Sequence, residues 1–237
     1  MKKLGFDMMH LPLLNKESYE AMDLNRLKNM VDLFIENGYT YFETAFGNSE
    51  TAFRIAVSNR YERYQYTVAD RMPSLSIYEE KELDFIFEKQ LNNLGVEFID
   101  YYWICVDHYD MKEEMAVFDF AKKKKAEGKI RHVGVYCDQL CEKLLVCHAE
   151  IEYVEFELSD LSLNASTEKM NRLYDVASKY RRPFVVFYLK NKDVTSELWS
   201  IHFANVLPNV MMVLMAMNNE DQVKEKIKWI EGGHLNE

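Results

Sequence analysis

Glycine and proline are scarce in this chain, which has eight glycines and four prolines among its 237 residues. An average usage of about 7% would give roughly twice as many glycines. The chain accordingly has no Pro- or Gly-rich linker and no low-complexity segment, which excludes a disordered or loosely tethered protein. Because 48% of the residues are hydrophobic, enough for a large core, the sequence predicts one globular domain over residues 1–237.

Cysteine is also rare, and the four present are Cys105, Cys137, Cys141 and Cys147. They are too few for a disulfide framework in a chain of this length. No secretory signal pattern opens the sequence, and no apolar run approaches the ~20 residues needed to span a bilayer. We therefore expect a cytoplasmic protein with no membrane contact.

Positive charge is in deficit, because 29 Lys and Arg residues face 39 Asp and Glu residues and give a net charge of −10. Affinity for nucleic acid depends largely on cationic contacts with phosphates, so a nucleic-acid partner is not expected. The one basic block, residues 122–125, falls late in a predicted helix, where cations balance the negative helix end. An acidic surface instead favours a cationic peptide or protein as partner.

What the chain does contain is a regular alternation of short apolar runs and amphipathic helical patterns. The eight runs are Leu4 to Phe6, Thr40 to Phe42, Tyr66 to Ala69, Ile99 to Ile104, His132 to Val135, Tyr153 to Leu158, Phe184 to Phe187 and Val210 to Leu214. Helical patterns cover residues 24–35, 49–55, 77–93, 115–126, 140–147, 167–180, 196–205 and 220–230. Strands that alternate with helices pair in parallel through right-handed crossovers. Eight such units in this length predict an α/β protein, a parallel eight-stranded (β/α)₈ TIM barrel, with its functional site at the carboxyl ends of the strands.

Several segments resemble those of one protein family, both in their residues and in their order along the chain. They are LGFDMMHLP at residues 4–12, ENGYTYFETA at 36–45, SE at 49–50, LGVEFIDYYWI at 94–104, EGKIRHVGV at 127–135 and MNNEDQVKE at 217–225. The chain resembles an aldo/keto reductase, of the short-loop type common in anaerobic bacteria. The resemblance implies reduction of carbonyl groups with NADPH, with an Asp, a Tyr, a Lys and a His at the ends of strands two to four. In the family the Tyr hydroxyl gives a proton to the carbonyl, which is general acid catalysis.

This chain departs from the family at all four catalytic positions. Glu43 stands in place of the Asp, Arg71 in place of the Lys and Cys105 in place of the His. The Tyr has no counterpart, because the loop after the second strand is shorter and offers only Phe46, whose ring has no proton to donate. The Glu43 and Arg71 pair is open to two interpretations, a diverged acid–base pair or an ion pair that stabilises the barrel mouth.

The positions that match the family's cofactor site are altered as well. They are Tyr136, Cys137, Glu155, Phe187, Met215 and Asn218. Tyr136 and Cys137 replace a Ser-Asn pair, Glu155 replaces a Gln that faces the nicotinamide, and Met215 begins the replacement of a Ser-Gly pair. The loop at residues 189–194 has no glycine, and this weakens a phosphate cradle because backbone approaches phosphate closely only where side chains are absent.

Two further groups of residues have both a functional and a structural interpretation. Cys105, Cys137 and His108 form a weak candidate for thiol or metal chemistry, although free cysteines are commonly small buried hydrophobes, and we predict no metal site. Tyr136 and Tyr188 are candidates for a displaced proton donor or, together with Phe46, for rings that fill the vacated cofactor space.

Two functional hypotheses follow. The first is a barrel of this family that has lost NADPH-dependent reduction, needs no cofactor and acts as a binding or accessory protein, with a protein or peptide partner at its mouth. The alternative is a diverged NAD(P)H-dependent oxidoreductase in which Glu43, Arg71, Tyr136 or Cys105 takes over proton transfer. A barrel scaffold serves either, because fold does not fix function.

Overall fold

Eight parallel strands form a closed barrel in chain order, and the last strand pairs with the first. The computed structural model describes residues 2–12, 22–73, 80–105, 111–136, 141–157, 172, 174–187, 201 and 207–232. The strands are β1 Leu4–Asp7, β2 Tyr41–Glu43, β3 Thr67–Arg71, β4 Ile99–Cys105, β5 Ile130–Tyr136, β6 Ile151–Glu157, β7 Phe184–Phe187 and β8 Val210–Ala216. The predicted (β/α)₈ barrel is therefore confirmed.

Helices connect the strands on the outside of the barrel. They are α1 Leu24–Glu36, α2 Asn48–Phe53, α3 Leu83–Leu94, α4 Met111–Ala126, α5 Cys141–Cys147 and α6 Glu220–Ile230, and residues 174–179 are also helical. The helix predicted to begin near residue 77 starts only at Leu83, after a 3₁₀ turn at Glu80–Glu82. The α2 helix continues as π-helix over Arg54–Ser58. Most of the predicted helices at 167–180 and 196–205 lies outside the described residues.

Polar side chains and glycines set the helix ends. The Asp23 carboxylate accepts a hydrogen bond from the Arg26 amide at the start of α1, and Asn219 does the same for Gln222 at the start of α6. These contacts satisfy amides that have no partner within the helix. At the end of α3 Gly95 adopts a left-handed conformation with φ of 67°. At the start of α2 the capping residue is Gly47, and the Ser49 hydroxyl bonds the backbone of Ala45.

The core has two layers because successive side chains of a strand point to opposite faces. The larger layer fills the space between the barrel and the helices. The inner layer lies inside the barrel and is formed by Tyr41, Ala69, Trp103, Tyr153, Val185, Met212 and Leu214. Gly134 makes room for this layer, since a Cβ atom on it would lie 2.2 Å from Cζ of Tyr153.

The described helices are all either too short or too polar to cross a lipid bilayer, so none of them is a candidate membrane span.

Candidate functional site at the barrel mouth

The carboxyl ends of the strands carry the residues that the sequence singled out. Glu43, Arg71, Cys105 and Tyr136 are the last residues of β2, β3, β4 and β5. The strand register places Cys105 beside Tyr136 and Tyr136 beside Glu155. Because all strands run in parallel, these ends lie at one rim of the barrel, which we call the mouth.

Glu43 and Glu155 form a hydrogen-bonded carboxyl pair inside the mouth, which we call the inner pair. β2 and β6 stand on opposite sides of an eight-stranded barrel, so the two side chains meet across the barrel axis. Both residues are 0% exposed. The sequence did not predict this pairing.

Burial is the main influence on the acidity of the inner pair, because a desolvated carboxylate is costly. It raises the pKa of Glu43 well above the usual value, and the charge of Glu155 and a hydrogen bond to Glu155 raise it further. Burial also raises the pKa of Glu155 to about 8, while the hydrogen bond from Glu43 and the charge of Arg71 oppose the rise. Both carboxyls therefore keep their protons to a higher pH than an exposed glutamate does, and the Glu43 carboxyl donates the hydrogen bond that joins them.

The surroundings of the inner pair satisfy only some of its oxygens. The Tyr41 hydroxyl donates to Oε2 of Glu43 at 3.4 Å. With both acids ionised, Oε1 of Glu43 and both oxygens of Glu155 have no donor among the described residues. The hydrogen bond between the two acids engages one oxygen of each residue, so one oxygen of Glu155 still lacks a partner among the described residues. The Tyr153 hydroxyl and Nε1 of Trp103 are also buried without a partner in the described part of the chain.

Arg71 does not form the ion pair with Glu43 that one interpretation of the sequence expected. Neither side chain contacts the other within the described residues; Glu43 is buried against Glu155, whereas the Arg71 side chain is exposed. The Arg71 guanidinium lies over the ring of Trp103, with 5.3 Å between its Cζ atom and the ring centroid. The reason is the strand register, because Glu43 pairs with Ala69 and Arg71 therefore stands two residues nearer the rim of the barrel.

A third carboxylate, Asp7 at the end of β1, joins the mouth. It is 3% exposed, and its Oδ2 lies 2.6 Å from Nδ1 of His10. Its Oδ1 accepts a hydrogen bond from the Met9 amide at 2.7 Å. The negative charge of Asp7 contributes to the raised pKa values of Glu43 and Glu155.

Aromatic rings line the other side of the mouth. Trp103 and Tyr136 have ring centroids 5.7 Å apart, and Tyr136 and Phe187 have centroids 5.8 Å apart. We call these three rings the aromatic wall. Tyr136 thus lies at the mouth. The Phe46 ring lies beside α3 instead, with its centroid 5.3 Å from Nζ of Lys89. Tyr188, Cys137 and His108 fall outside the described residues.

Met215 does not line the barrel interior, although its position matches the family's cofactor site. Its side chain packs in the outer layer, between the sheet and the helices. Asn218 lies just before α6, where its amide donates to Oε1 of Gln222 at 2.8 Å. Cys105 is partly buried and is a thiol rather than half of a disulfide. Among the described residues no group of three or more His, Cys, Asp or Glu side chains could hold a metal ion.

A second acid pair, Glu50 and Asp70, lies in the outer layer behind β3, and we call it the outer pair. Burial raises the pKa of both, and the charge of Glu50 adds to the rise at Asp70. Gln90 donates to Oδ2 of Asp70 at 2.7 Å, and Asn93 donates to Oε2 of Glu50 at 2.7 Å. Sequence reasoning missed this pair, although an Asp within the apolar run of β3 was an available signal.

The architecture defines a TIM-barrel protein whose candidate site occupies the carboxyl ends of its strands. The chain belongs to the aldo/keto reductase family, whose sequence profile matches residues 3–179. No curated protein sequence matches the chain significantly.

Solved structures of aldo-keto reductases share this fold over nearly the whole chain. A protein from Pseudomonas aeruginosa assigned to these enzymes superposes with a TM-score of 0.75 at 14% identity, covering 96% of this chain and 89% of its own. Aldo-keto reductase AKR11C1 from Bacillus halodurans, in its holo form, gives 0.73 at 18% identity, with 97% and 87% covered. The thermostable aldo-keto reductase Tm1743, in complex with the inhibitor epalrestat, gives 0.69 at 19% identity, with 96% and 89% covered. At these identities the likeness concerns the fold alone.

The resemblance implies NADPH as cofactor, at positions that include Tyr136 and Glu155. In the structure the ring of Tyr136 belongs to the aromatic wall and the carboxyl of Glu155 is buried. The first turn of α6 carries Glu220 and Asp221, and negative charge there repels a phosphate. Lys226, further along α6, is 4% exposed and lies over the ring of Trp229 at 3.8 Å.

Proposed function

We propose that this chain is a member of the aldo/keto reductase family that no longer performs NADPH-dependent carbonyl reduction and acts in the cytoplasm as a binding or accessory protein. The observation that carries the proposal is the inner pair. Reduction of a carbonyl needs a proton donor within hydrogen-bond reach of the substrate oxygen. The Tyr that supplies this proton in the family has no counterpart in the sequence, and Glu43, at the position of the family's Asp, is fully buried and hydrogen bonded to Glu155.

The cofactor side supports the same proposal. A phosphate needs close backbone approach or cations, and the first turn of α6 offers Glu220 and Asp221. The aromatic wall lies across the mouth, where a flat nicotinamide would have to displace it. We therefore propose that the protein works without a bound nicotinamide cofactor.

The proposed partner is a cationic peptide or protein at the mouth. The net charge of −10 attracts cationic molecules from a distance. Asp7, Glu43 and Glu155 concentrate acidic groups at the mouth itself. Both features favour a partner that presents positive charge.

Titration with NADPH tests the proposal. We expect no saturable quenching of tryptophan fluorescence up to about 1 mM, the upper end of usual KM values. We also expect no loss of absorbance at 340 nm with aldehyde or ketone substrates. An active aldo-keto reductase in the same buffers serves as the positive control. Micromolar NADPH binding together with carbonyl-dependent oxidation would refute the proposal.

The second candidate function, a diverged oxidoreductase, is favoured by one observation. A carboxyl with a pKa of about 8 keeps its proton at neutral pH and so resembles a general acid. If reduction is detected, Glu43→Gln and Glu155→Gln should abolish it, whereas Glu36→Gln on the exposed face of α1 should leave it unchanged. Activity that survives both inner-pair variants would direct attention to Arg71, Tyr136 or Cys105.

A further inference from the structure

The mouth contains buried polar atoms that the described protein does not satisfy. One oxygen of Glu155 has no partner even with the hydrogen bond to Glu43, and the Tyr153 hydroxyl has none among the described residues. Tyr153 is 1% exposed, and the charges of Glu155 and Glu43 raise the pKa of its hydroxyl, so this group faces the inner pair. Leaving such groups unpaired is unfavourable, which favours a guest that supplies donors.

The charge of the mouth determines the sign of that guest. The groups that act on Glu155 are Glu43 on β2, Asp7 on β1, Cys105 on β4 and Arg71 on β3. Of these only Arg71 is cationic, although His10 lies beside Asp7. The Arg71 side chain is exposed and does not form an ion pair with Glu43. Among the described residues, the groups that act on the inner pair are therefore mostly acidic.

The aromatic wall provides the second element of a cation site. The faces of aromatic rings attract cations, and the effect grows when the cation is desolvated. Arg71 already lies over the Trp103 ring, so one wall ring is in contact with a cation of the protein itself. Tyr136 and Phe187 are partly exposed and continue the wall beyond it.

We propose that the mouth binds a primary alkylammonium group, with its nitrogen held by the inner pair and its alkyl chain along the aromatic wall. An ammonium group has three N–H donors and no acceptor, which matches the unpaired carboxylate oxygen and the lone pairs of Tyr153. The guest replaces the Arg71 guanidinium, the exposed group that covers Trp103. This inference rests on the proposed binding function and deepens it, because a lysine side chain of a cationic partner is itself a primary alkylammonium.

Binding of such a cation favours the ionised form of Glu155, so the inner pair releases the proton of Glu155 to solvent. Association should then tighten as the pH rises from 6.5 to 8.5, while the ammonium keeps its charge. Arg71 competes with the guest for the same acids. Removing the guanidinium should therefore strengthen binding.

Isothermal titration calorimetry of the full chain tests the inference with n-butylammonium chloride, and with n-butanol and sodium chloride as neutral and ionic controls. We expect saturable binding of n-butylammonium alone, with release of up to one proton measured from buffers of different ionisation enthalpy. Glu155→Gln should weaken binding at least about tenfold, because a buried charge partner is lost. Arg71→Met should strengthen it, and Glu36→Gln should have no effect.

Two lysine peptides identify the source of the ammonium group. N-acetyl-lysinamide should bind if a partner's lysine is the guest, and its Nε-acetylated form should not; binding of n-butylammonium alone would assign the site to a free amine. Equal heats for n-butanol and n-butylammonium, or binding unchanged in Glu155→Gln, would overturn the inference. The Gln variant is expected to fold, since a neutral amide removes a buried charge. NADPH titration is independent of these results, so failure of the cation site and failure of the proposed function are distinguishable.

Discussion

Replacing Glu155 by Gln should change how the stability of this protein depends on pH. The side chain is 0% exposed and hydrogen bonds with Glu43 across the barrel. The amide keeps the shape of the side chain but cannot ionise. The variant therefore isolates the cost of placing a carboxylate in the barrel interior.

The magnitude follows from the acidity of Glu155. Below about pH 4 the carboxyl is neutral in the folded and the unfolded chain. Between 4.5 and about 8 the unfolded chain releases this proton and the folded chain keeps it, so the free energy of unfolding falls as the pH rises. At about 1.4 kcal/mol for each pH unit, a pKa raised from 4.5 to about 8 corresponds to a loss of roughly 5 kcal/mol.

Urea unfolding followed by far-UV circular dichroism at pH 5.5, 7.0 and 8.5 measures this difference. The parent chain should lose several kcal/mol of unfolding free energy over this range relative to Glu155→Gln, which should become the more stable protein at pH 8.5. Glu36→Gln controls for loss of an acid at the surface. Parallel pH profiles for the parent and Glu155→Gln would show that Glu155 ionises normally and would refute the reasoning.

Three other substitutions test the scaffold by urea unfolding at pH 7. Gly134→Ala should lower the free energy of unfolding by about 1–3 kcal/mol, because the added Cβ would lie 2.2 Å from the Tyr153 ring. A variant as stable as the parent would mean that the ring moves freely. Asp100→Ala should cost about 3–5 kcal/mol, since this 4% exposed carboxylate pairs with two arginines and accepts the Val68 amide. Asn219→Ala should cost about 1 kcal/mol through loss of the α6 cap, and Asn219→Asp should preserve the cap.

The alternation of strands with helices and the positions of the strand ends were predictable from the sequence, because they depend on local chemistry. Short apolar runs followed by amphipathic helices have few packing solutions, and eight of them close a barrel. Residues directly after such runs must lie at the mouth, which placed Glu43, Arg71, Cys105 and Tyr136 correctly at one rim. The start of α3 was less predictable, since a 3₁₀ turn precedes the helix and the hydrophobic pattern alone does not distinguish a 3₁₀ turn from an α-helix.

What each mouth residue touches was not predictable in the same way. The opposite charges of Glu43 and Arg71 suggested an ion pair. In the structure Glu43 is buried inside the barrel, whereas Arg71 is exposed at its rim. Met215 matched a cofactor position in the sequence but points to the helices. A shift of one residue along a strand changes the face to which a side chain points, and a family likeness in sequence does not fix it.

The sequence by itself determined the barrel and the family, because these follow from hydrophobic periodicity and residue identity. Only the tertiary structure brought Glu43 and Glu155 together across the barrel axis, and placed Glu50 against Asp70 behind the sheet. The physical reason is that barrel closure joins strands that are distant in the chain. Burial then decides the acidity of those carboxyls, and burial is a property of the folded molecule.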